Sequence, residues 1–503
     1  MLRFSKAFSQ RTSRRYAPLV SLLALVACGS DGGNEAPTGP GAFDGQTPSN
    51  MNPGTPDDTG MQPPGTDTTP PSNETPAGEG VPDGVPLDPS GDDGNGDGNG
   101  ATTDPPGEDP APNDPTPGEP PAFVEDSGAD CAVAALPNSD ALPTDNLLPD
   151  PFLKLDGTRM TSKSEWTCRR EEIKRQAERY IYGTKPSKPE TVTGTVSNTS
   201  ITVNVTNGGN STSFTVSVDM PAGATGPVPA LVSVGTGFFG FSQNTLVRNE
   251  GVAIINFDPY AIGAEGTPRN AKQGAFYDIY GAQSTTGLLL AWSWGVSRIL
   301  DVIEQSGGNI LKADATAVAG CSRFGKAAIT VGAFDERIAL TIPFESGSGG
   351  VPIWRGIPGE GAQSPGSAFG EQPWLGDAFG TFTNAVTRLP VDTHELLSMV
   401  APRGLLILDN PHIANLGPRS AHVAALAGAE VFSALGVGDN ISYHSSVADG
   451  AHCSARPEHQ EPLRQNIRRF LLKTDATTGV ITAAAKATGN LAEWRDWETP
   501  TLE

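Results

Sequence analysis

The sequence has a long stretch from which whole classes of residue are missing. Between Gly29 and Asp130 there is no lysine or arginine, and Phe43 and Phe123 are the only aromatic residues. The same 102 residues hold 41 glycines and prolines and 21 acidic residues. Such a composition offers too little apolar surface to offset the entropy lost on folding. We therefore expect residues 29–130 to form a disordered acidic linker.

Positive charge is scarce in the rest of the chain as well. Residues 1–28 carry +5, residues 29–130 carry −21 and the remainder carries −7, out of a total of −23. The last 373 residues are thus mildly acidic and lack the basic face of a nucleic-acid-binding protein. They are sufficient for one large core and show no internal repeat. We predict a single domain over residues 131–503, and a monomer.

The N-terminus has the features of an export signal. Basic residues precede an apolar run, Tyr16 to Ala27, that is too short for a stable membrane span. Its last residues, Leu25-Val26-Ala27-Cys28, resemble the lipobox of bacterial lipoproteins, in which the cysteine is lipidated. We predict a signal peptide over residues 1–28, a lipid anchor at Cys28, and a location at the outer membrane or cell surface. An ordinary signal peptide with a chance cysteine is the alternative.

The alternation of apolar runs and helical patterns predicts the fold. A helix is expected from Glu165 to Tyr182 with Ser164 as its cap, followed by an antiparallel pair, Thr191 to Val205 and Ser211 to Met220. Short apolar runs then alternate with helices, which indicates a mostly parallel sheet covered on both faces. The runs are 230–234, 252–257, 315–319, 339–342, 405–408 and 441–447, and the helices are 284–304, 323–333, 420–435 and 462–473.

One segment has the pattern of a catalytic serine. The run 315–319 leads through a sharp turn at Ser322 directly into a helix, which is the setting of a nucleophile elbow. The usual pattern is G-x-S-x-G, but here the second glycine is one residue late, at Gly325, with Phe324 in its place. On the generic pattern alone, an active and an inert serine both remain open.

A serine nucleophile needs a histidine base, and His452 is the best of the six candidates. It lies in a loop after the last of these runs, where an α/β-hydrolase has its base. For the other histidines we expect solvation (His394), packing within or beside helices and strands (His422, His444, His459), or a place beside a pocket (His412).

Two carboxylates compete to orient that base. Glu345 follows the run 339–342, and Asp409 follows the run 405–408. An α/β-hydrolase more often has its acid after the strand before the last, so position alone slightly favours Asp409. Either carboxylate could instead cap nearby N–H groups in its loop.

Four cysteines lie in the predicted domain, and an even number in an exported chain favours two disulfides over free thiols. Three pairings are possible. If Ser322 and His452 meet, their neighbours Cys321 and Cys453 come near the Cα separation of about 5.5–6 Å that a disulfide needs. Cys131 and Cys168 would then form the second pair.

The segment Gly320-Cys321-Ser322-Arg323-x-Gly325-Lys326 resembles the signature of the glucuronoyl esterases, carbohydrate esterase family 15. The shifted glycine is a feature of that family. The resemblance extends over about residues 140–475, and its further motifs are Glu345-Ser-Gly-Ser-Gly-Gly350, Asp409-Asn-Pro-His-Ile413 and His452-Cys453.

The resemblance implies a fold and a reaction. The fold is an α/β-hydrolase, a three-layer sandwich around a mostly parallel sheet. The reaction is hydrolysis of the ester between 4-O-methyl-glucuronic acid of glucuronoxylan and lignin alcohols. Ser322 would be the nucleophile, His452 the base and Arg323 the stabiliser of the oxyanion. Glu345 matches the acid of many members, and Asp409 matches the position that other bacterial members use, alone or in addition.

The resemblance also implies the residues that bind the sugar. Lys326 would meet its hydroxyl groups, and Gln363 and Glu371 match the family's sugar-binding glutamine and glutamate. Many members have a tryptophan in the loop before Leu-Gly-Pro, whereas this chain has Asn415 there.

We expect neither a metal nor a cofactor, since the sequence has no H-E-x-x-H spacing and serine chemistry requires neither. Two other functions stay open. An acetyl-xylan or feruloyl esterase would share the triad, but its neutral acyl group would not call for Arg323 and Lys326. A tethered, non-catalytic carbohydrate-binding lipoprotein would not need the triad.

Overall fold

A computed structural model describes residues 123–235 and 241–503, which belong to one compact unit of the chain. The predicted signal peptide with Cys28, and the predicted linker up to residue 122, lie outside the described residues. Within the part that is described, no helix is both long enough and apolar enough to span a bilayer.

The described residues form a ten-stranded sheet with the order β1-β2-β3-β5-β4-β6-β7-β8-β9-β10. The pairs β1–β2, β2–β3 and β3–β5 are antiparallel, and the remaining six pairs, from β5–β4 to β9–β10, are parallel. The strands are β1 Thr191–Val196, β2 Ser200–Asn207, β3 Asn210–Asp219, β4 Val228–Val234, β5 Ala253–Phe257, β6 Leu311–Cys321, β7 Ile338–Phe344, β8 Gly404–Leu408, β9 Ile441–Ser445 and β10 Ile481–Ala483.

Ten α-helices accompany the sheet in the described residues. They are α1 Trp166–Ala177, α2 Asn244–Asn249, α3 Ala275–Tyr280, α4 Leu288–Gln305, α5 Arg323–Phe334, α6 Ile357–Glu360, α7 Pro365–Glu371, α8 Thr393–Ser398, α9 Pro418–Ala434 and α10 Pro457–Phe470.

Two hydrophobic clusters lie on opposite faces of the sheet. On one face α1, α4, α5, α8 and α9 pack against strand residues such as Val232 and Val318. On the other, α2 and α10 pack against Leu231 and Ala317, the alternate residues of the same strands. A sheet covered on both faces needs strands that are apolar throughout, and β8 is buried at every position. The prediction of three layers around a mostly parallel sheet is confirmed.

The antiparallel part differs from the expectation. The predicted strand from Thr191 to Val205 is divided into β1 and β2 by a turn. Ser197 makes this turn, because its hydroxyl accepts a hydrogen bond from the backbone N–H of Ser200 at 3.0 Å. Asn207 and Asn210 flank the second turn, which joins β2 to β3. A three-stranded meander results where we expected a pair.

The first helix also differs in detail. A 3₁₀ turn, Lys163–Glu165, leads into α1, and its capping residue is Ser162, which forms a capping box with Glu165; Ser164 is not the cap. The α-helical bonding of α1 ends at Ala177, and a wider π-helical turn continues to Tyr182.

The contacts of the domain begin before residue 131, where we predicted its boundary. Glu125 pairs with Lys185 at 2.7 Å and with Arg298, both of which are buried. Asp126 pairs with Lys174, which is also buried. From composition, we expected these carboxylates to belong to the disordered acidic linker. In the structure they neutralise buried cations. Residues 123–130 are therefore part of the folded unit.

Candidate active site

The site lies at the carboxyl ends of the parallel strands, where ligands bind in open α/β sheets. Ser322 follows β6, Glu345 follows β7 and Asp409 follows β8, while His452 is in the loop after β9. Ser322 and His452 line one cavity of about 300 Å³. The topology thus brings together residues that are up to 130 positions apart in the sequence.

Ser322 occupies a strained turn. Its backbone dihedral angles, φ 58° and ψ −126°, define a conformation that non-glycine residues rarely adopt. Its backbone N–H donates to Phe344 O at 2.9 Å, which fixes the turn against the end of β7. The strand–turn–helix context is that of a nucleophile elbow, as predicted.

The displaced glycine has a steric cause. A Cβ on Gly320 would lie 2.3 Å from Phe324 O, and a Cβ on Gly325 would lie 2.6 Å from Phe344 O. Both distances are shorter than a Cβ atom can approach another heavy atom without a clash. A glycine at 325 therefore lets the first turn of α5 approach the end of β7. The variant spacing is therefore an alternative way to bring helix and strand together.

His452 is bonded to Glu345. The imidazole Nδ1 lies 2.7 Å from Glu345 Oε2, and this carboxylate is fully buried. Glu345 also accepts hydrogen bonds from Cys453 N at 2.8 Å and from Asn410 Nδ2 at 3.2 Å. With Nδ1 engaged by the carboxylate, the proton of a nucleophile would be taken by Nε2.

Asp409, the competing carboxylate, has other partners. It accepts hydrogen bonds from Tyr443 Oη at 3.0 Å and from Asn410 N at 2.9 Å. Its pKa is raised to about 7, mainly by burial and in smaller part by the nearby Glu345. The geometry therefore assigns the orientation of His452 to Glu345, although position in the sequence slightly favoured Asp409. Asn410 links the two, since its side chain reaches Glu345.

The other histidines take structural positions. The expectation that His394 is solvated is wrong: it is completely buried, its Nε2 contacts Pro149 O at 2.9 Å, and burial lowers its pKa to about 4. His422 and His459 are buried, as packing requires. His412 contacts Val447 O at 2.8 Å and Lys486 Nζ at 2.7 Å.

Both expected disulfides are present. Cys321 and Cys453 are joined with their Cα atoms 5.8 Å apart, and Cys131 and Cys168 with theirs 5.4 Å apart. The first links the residue before Ser322 to the residue after His452. Cys321, Glu345, His452 and Cys453 are also the group of potential metal ligands found in the described residues. Its sulfurs are bonded to each other and its imidazole to its carboxylate, so the donors already have partners.

Two cations form one wall of the cavity. Arg323 Nη1 lies 2.7 Å from Glu265 Oε2, and Lys326 Nζ donates to Ser346 O at 2.6 Å. Burial lowers the pKa of Lys326 to about 7. Both cations lie over the ring of Trp374, at 5.6 Å and 5.5 Å from its centroid.

The residues expected to bind the sugar lie on the same cavity. Gln363 Nε2 donates to Glu371 Oε2 at 2.6 Å, and both side chains line the cavity with Asn415. Sequence reasoning did not find Trp374 or Glu265. Trp374 is three residues after Glu371, which is a weak signal, and Glu265 is in a loop far from the other motifs.

Comparisons with known proteins identify the family of the chain. Residues 203–436 match the family model for fungal glucuronyl esterases. The chain is 38% identical over 380 residues to the 4-O-methyl-glucuronoyl methylesterase of Hypocrea jecorina, covering 75% of this chain and 80% of the relative.

Solved structures of the same kind have a similar fold. One is a glucuronoyl esterase mutant from Sporotrichum thermophile in complex with methyl 4-O-methyl-β-D-glucopyranuronate, with a TM-score of 0.68 and 35% identity, covering 74% of this chain and 100% of that chain. Another is a family 15 glucuronoyl esterase from Caldicellulosiruptor kristjansonii, with a TM-score of 0.60 and 29% identity over 72% and 100% of the two chains. The chain therefore belongs to the glucuronoyl esterases of carbohydrate esterase family 15, and its fold is that of an α/β-hydrolase.

Proposed function

We propose that this protein hydrolyses esters of 4-O-methyl-glucuronic acid through an acyl-enzyme on Ser322. Its curated relatives are named for this activity. The observation that carries the proposal is the cavity itself. It places a serine at a strained elbow, a histidine bonded to a buried glutamate, and two cations with polar side chains around one space.

The proposed reaction follows from the positions of these groups. Ser322 Oγ attacks the ester carbonyl while His452 takes the hydroxyl proton. Glu345 then stabilises the imidazolium through the bond at Nδ1. The oxyanion meets Arg323, whose backbone N–H follows the serine and whose guanidinium faces the cavity. The alcohol leaves with the proton from His452. Water then attacks the acyl-enzyme while His452 takes its proton, and the acid is released as Ser322 Oγ regains that proton from His452.

The rest of the cavity suits a sugar acid. Gln363, Glu371 and Lys326 offer donors and acceptors for hydroxyl groups, and the buried ring of Trp374 supports the two cations. An acetyl group would leave most of the 300 Å³ without a partner. We propose that the natural substrate is the ester joining glucuronoxylan to lignin alcohols. Because Asn415 stands where many members of the family have a tryptophan, we expect this side of the sugar pocket to be more open and polar.

Hydrolysis of benzyl glucuronate by the whole chain tests the proposal, with an acetyl ester and the variant Ser322→Ala as controls. Cleavage of the glucuronate alone, lost in the variant, is the expected result. Cleavage of the acetyl ester alone would favour an acetyl-xylan type of esterase. A folded protein that cleaves neither ester, and whose Ser322 is not labelled by a fluorophosphonate, would favour a carbohydrate-binding lipoprotein.

We further propose that the protein is exported and anchored through a lipid on Cys28 at the outer membrane or cell surface, as a monomer. Two disulfides support export, since such bonds persist in oxidising compartments. Metabolic labelling with a fatty acid, compared between the natural chain and Cys28→Ser, tests the anchor. Labelling that is equal in both would contradict it.

A further inference from the structure

One carboxylate beside the cavity collects three hydrogen bonds. Glu265 Oε2 accepts from Arg323 Nη1 at 2.7 Å and from Tyr260 Oη at 2.9 Å, and Oε1 accepts from Trp374 Nε1 at 2.6 Å. The Glu265 side chain is only 10% exposed. Arg323 and Trp374 can only donate and face different oxygens, so a carboxylate satisfies both and an amide of the same shape cannot.

The loop that contains Glu265 is itself held in place. The backbone N–H of Gly266 donates to Gln372 Oε1 at 2.7 Å, and Arg269 NH1 donates to Leu375 O at 2.7 Å. Both acceptors flank Trp374 in the sequence. The loop after β5 and the segment after α7 are therefore tied together on either side of the carboxylate, which fixes its position relative to the cavity.

Arg323 is placed between two carboxylates. Its Nη1 bonds to Glu265, while its Nη2 lies 3.9 Å from Oε1 of Glu371, one of the residues expected to bind the sugar. The Arg323 side chain is 25% exposed, so the surrounding protein leaves it room to move. Without Glu265, the guanidinium would be drawn towards Glu371.

We propose that Glu265 is a positioning residue for the esterase reaction: it holds the Arg323 guanidinium where the oxyanion forms, and Trp374 and Tyr260 hold the carboxylate. This rests on the proposed function, because it assigns Arg323 to the oxyanion. A displacement of about 1 Å at a stabilising group can cost on the order of 100-fold in rate. Glu265 touches none of the reacting atoms and acts through Arg323.

The first experiment compares Glu265→Ala and Glu265→Gln with the natural chain on benzyl glucuronate. We expect kcat to fall about 10- to 100-fold for alanine and less for glutamine, with a smaller change in KM. Glutamine keeps one acceptor but turns an amide NH₂ towards a donor. Glu250→Ala is the matched control, because Glu250 is 14% exposed and also pairs with two arginines, far from the cavity. It should keep the natural kcat.

A double-mutant cycle with Arg323→Ala separates positioning from a structural role. If Glu265 acts through Arg323, then Glu265→Ala should have little further effect on kcat once Arg323 is alanine. Losses that multiply in the double variant, or a natural kcat in Glu265→Ala, would overturn the proposal. Melting temperatures of all variants show whether each one is folded.

The same cycle, measured as the rate at which a fluorophosphonate labels Ser322, does not depend on the sugar. The phosphoryl oxygen of the probe takes the place of the oxyanion. Coupled losses in labelling would support the role of Glu265 even if benzyl glucuronate were not cleaved. Independent losses in labelling would overturn it even if the esterase activity were confirmed.

Discussion

Replacing Glu345 by glutamine is expected to lower kcat for benzyl glucuronate by about 10³- to 10⁴-fold, the loss typical of a triad acid. The matched change Asp409→Asn is expected to lower kcat less than about 10-fold, because Asp409 is hydrogen-bonded to Tyr443 and not to His452. The pair of variants therefore decides which carboxylate orients His452.

The size of the Glu345 effect follows from its partners. Its buried oxygens receive His452 Nδ1 at 2.7 Å, Cys453 N at 2.8 Å and Asn410 Nδ2 at 3.2 Å. Cys453 N can only donate, His452 must donate from Nδ1 for catalysis, and the Asn410 amide presents its Nδ2 because its Oδ1 accepts from His412 N at 3.0 Å. A glutamine must turn its NH₂ towards one of them, and facing His452 it would favour the tautomer with the proton on Nε2. That imidazole cannot accept the proton of Ser322.

The assay is steady-state hydrolysis of benzyl glucuronate at neutral pH, with melting temperatures to show that both variants fold. A second measurement is the rate of fluorophosphonate labelling, which should fall in parallel in Glu345→Gln. The reasoning is refuted if Asp409→Asn loses as much kcat as Glu345→Gln, or if Glu345→Gln retains more than about a tenth of the natural value.

Three further changes test other parts of the structure. Glu125→Gln removes a negative charge from buried cations and should lower the melting temperature in calorimetry by about 3–5 °C; no change would place residues 123–130 outside the folded unit. The double change Cys321→Ser and Cys453→Ser should lower the free energy of unfolding, measured in urea, by about 3–5 kcal/mol; an unaltered urea midpoint would contradict a stabilising role of this disulfide. Burial lowers the pKa of Lys326 from 10.5 to about 7, so its cation destabilises the fold most at and below pH 7. Lys326→Met should thus raise the melting temperature most at pH 7 and progressively less towards pH 10, whereas a gain that is the same at each pH would count against a buried ammonium.

Much of the fold could be predicted because the central strands are continuous apolar runs. β4, β7 and β8 are buried almost throughout, so periodicity and length identify them without tertiary information. β10 was not predicted, since its three residues are half-exposed and pair only with β9. The acidic residues at 125–126 were assigned to the linker because composition cannot show that cations are buried elsewhere in the fold.

The site could be predicted as far as local patterns reach. Ser322 has a strand before it and a helix after it, and His452 has its place after the last run, so both are visible in the sequence. Which carboxylate meets His452 depends on how far each loop extends beyond its strand, and no local pattern contains that distance. Glu265 is 58 residues from Arg323, and only the tertiary structure shows that they are paired.

The catalytic loops stabilise one another, which explains how three strained residues persist side by side. Ser322, Glu345 and Cys453 have φ values of 58°, 45° and 60°, each costing about 1–3 kcal/mol for a non-glycine residue. Ser322 N bonds to the end of β7, Glu345 N bonds to the end of β8 at 2.8 Å, and Cys453 N bonds to the Glu345 carboxylate. The turns at Ser322 and Glu345 are thus each held by the end of the next strand, the turn at Cys453 is held by the Glu345 carboxylate, and the Cys321–Cys453 bond closes the series. The catalytic geometry therefore belongs to the set of loops together, so loss of one contact should impair the alignment of the nucleophile, base and acid at once.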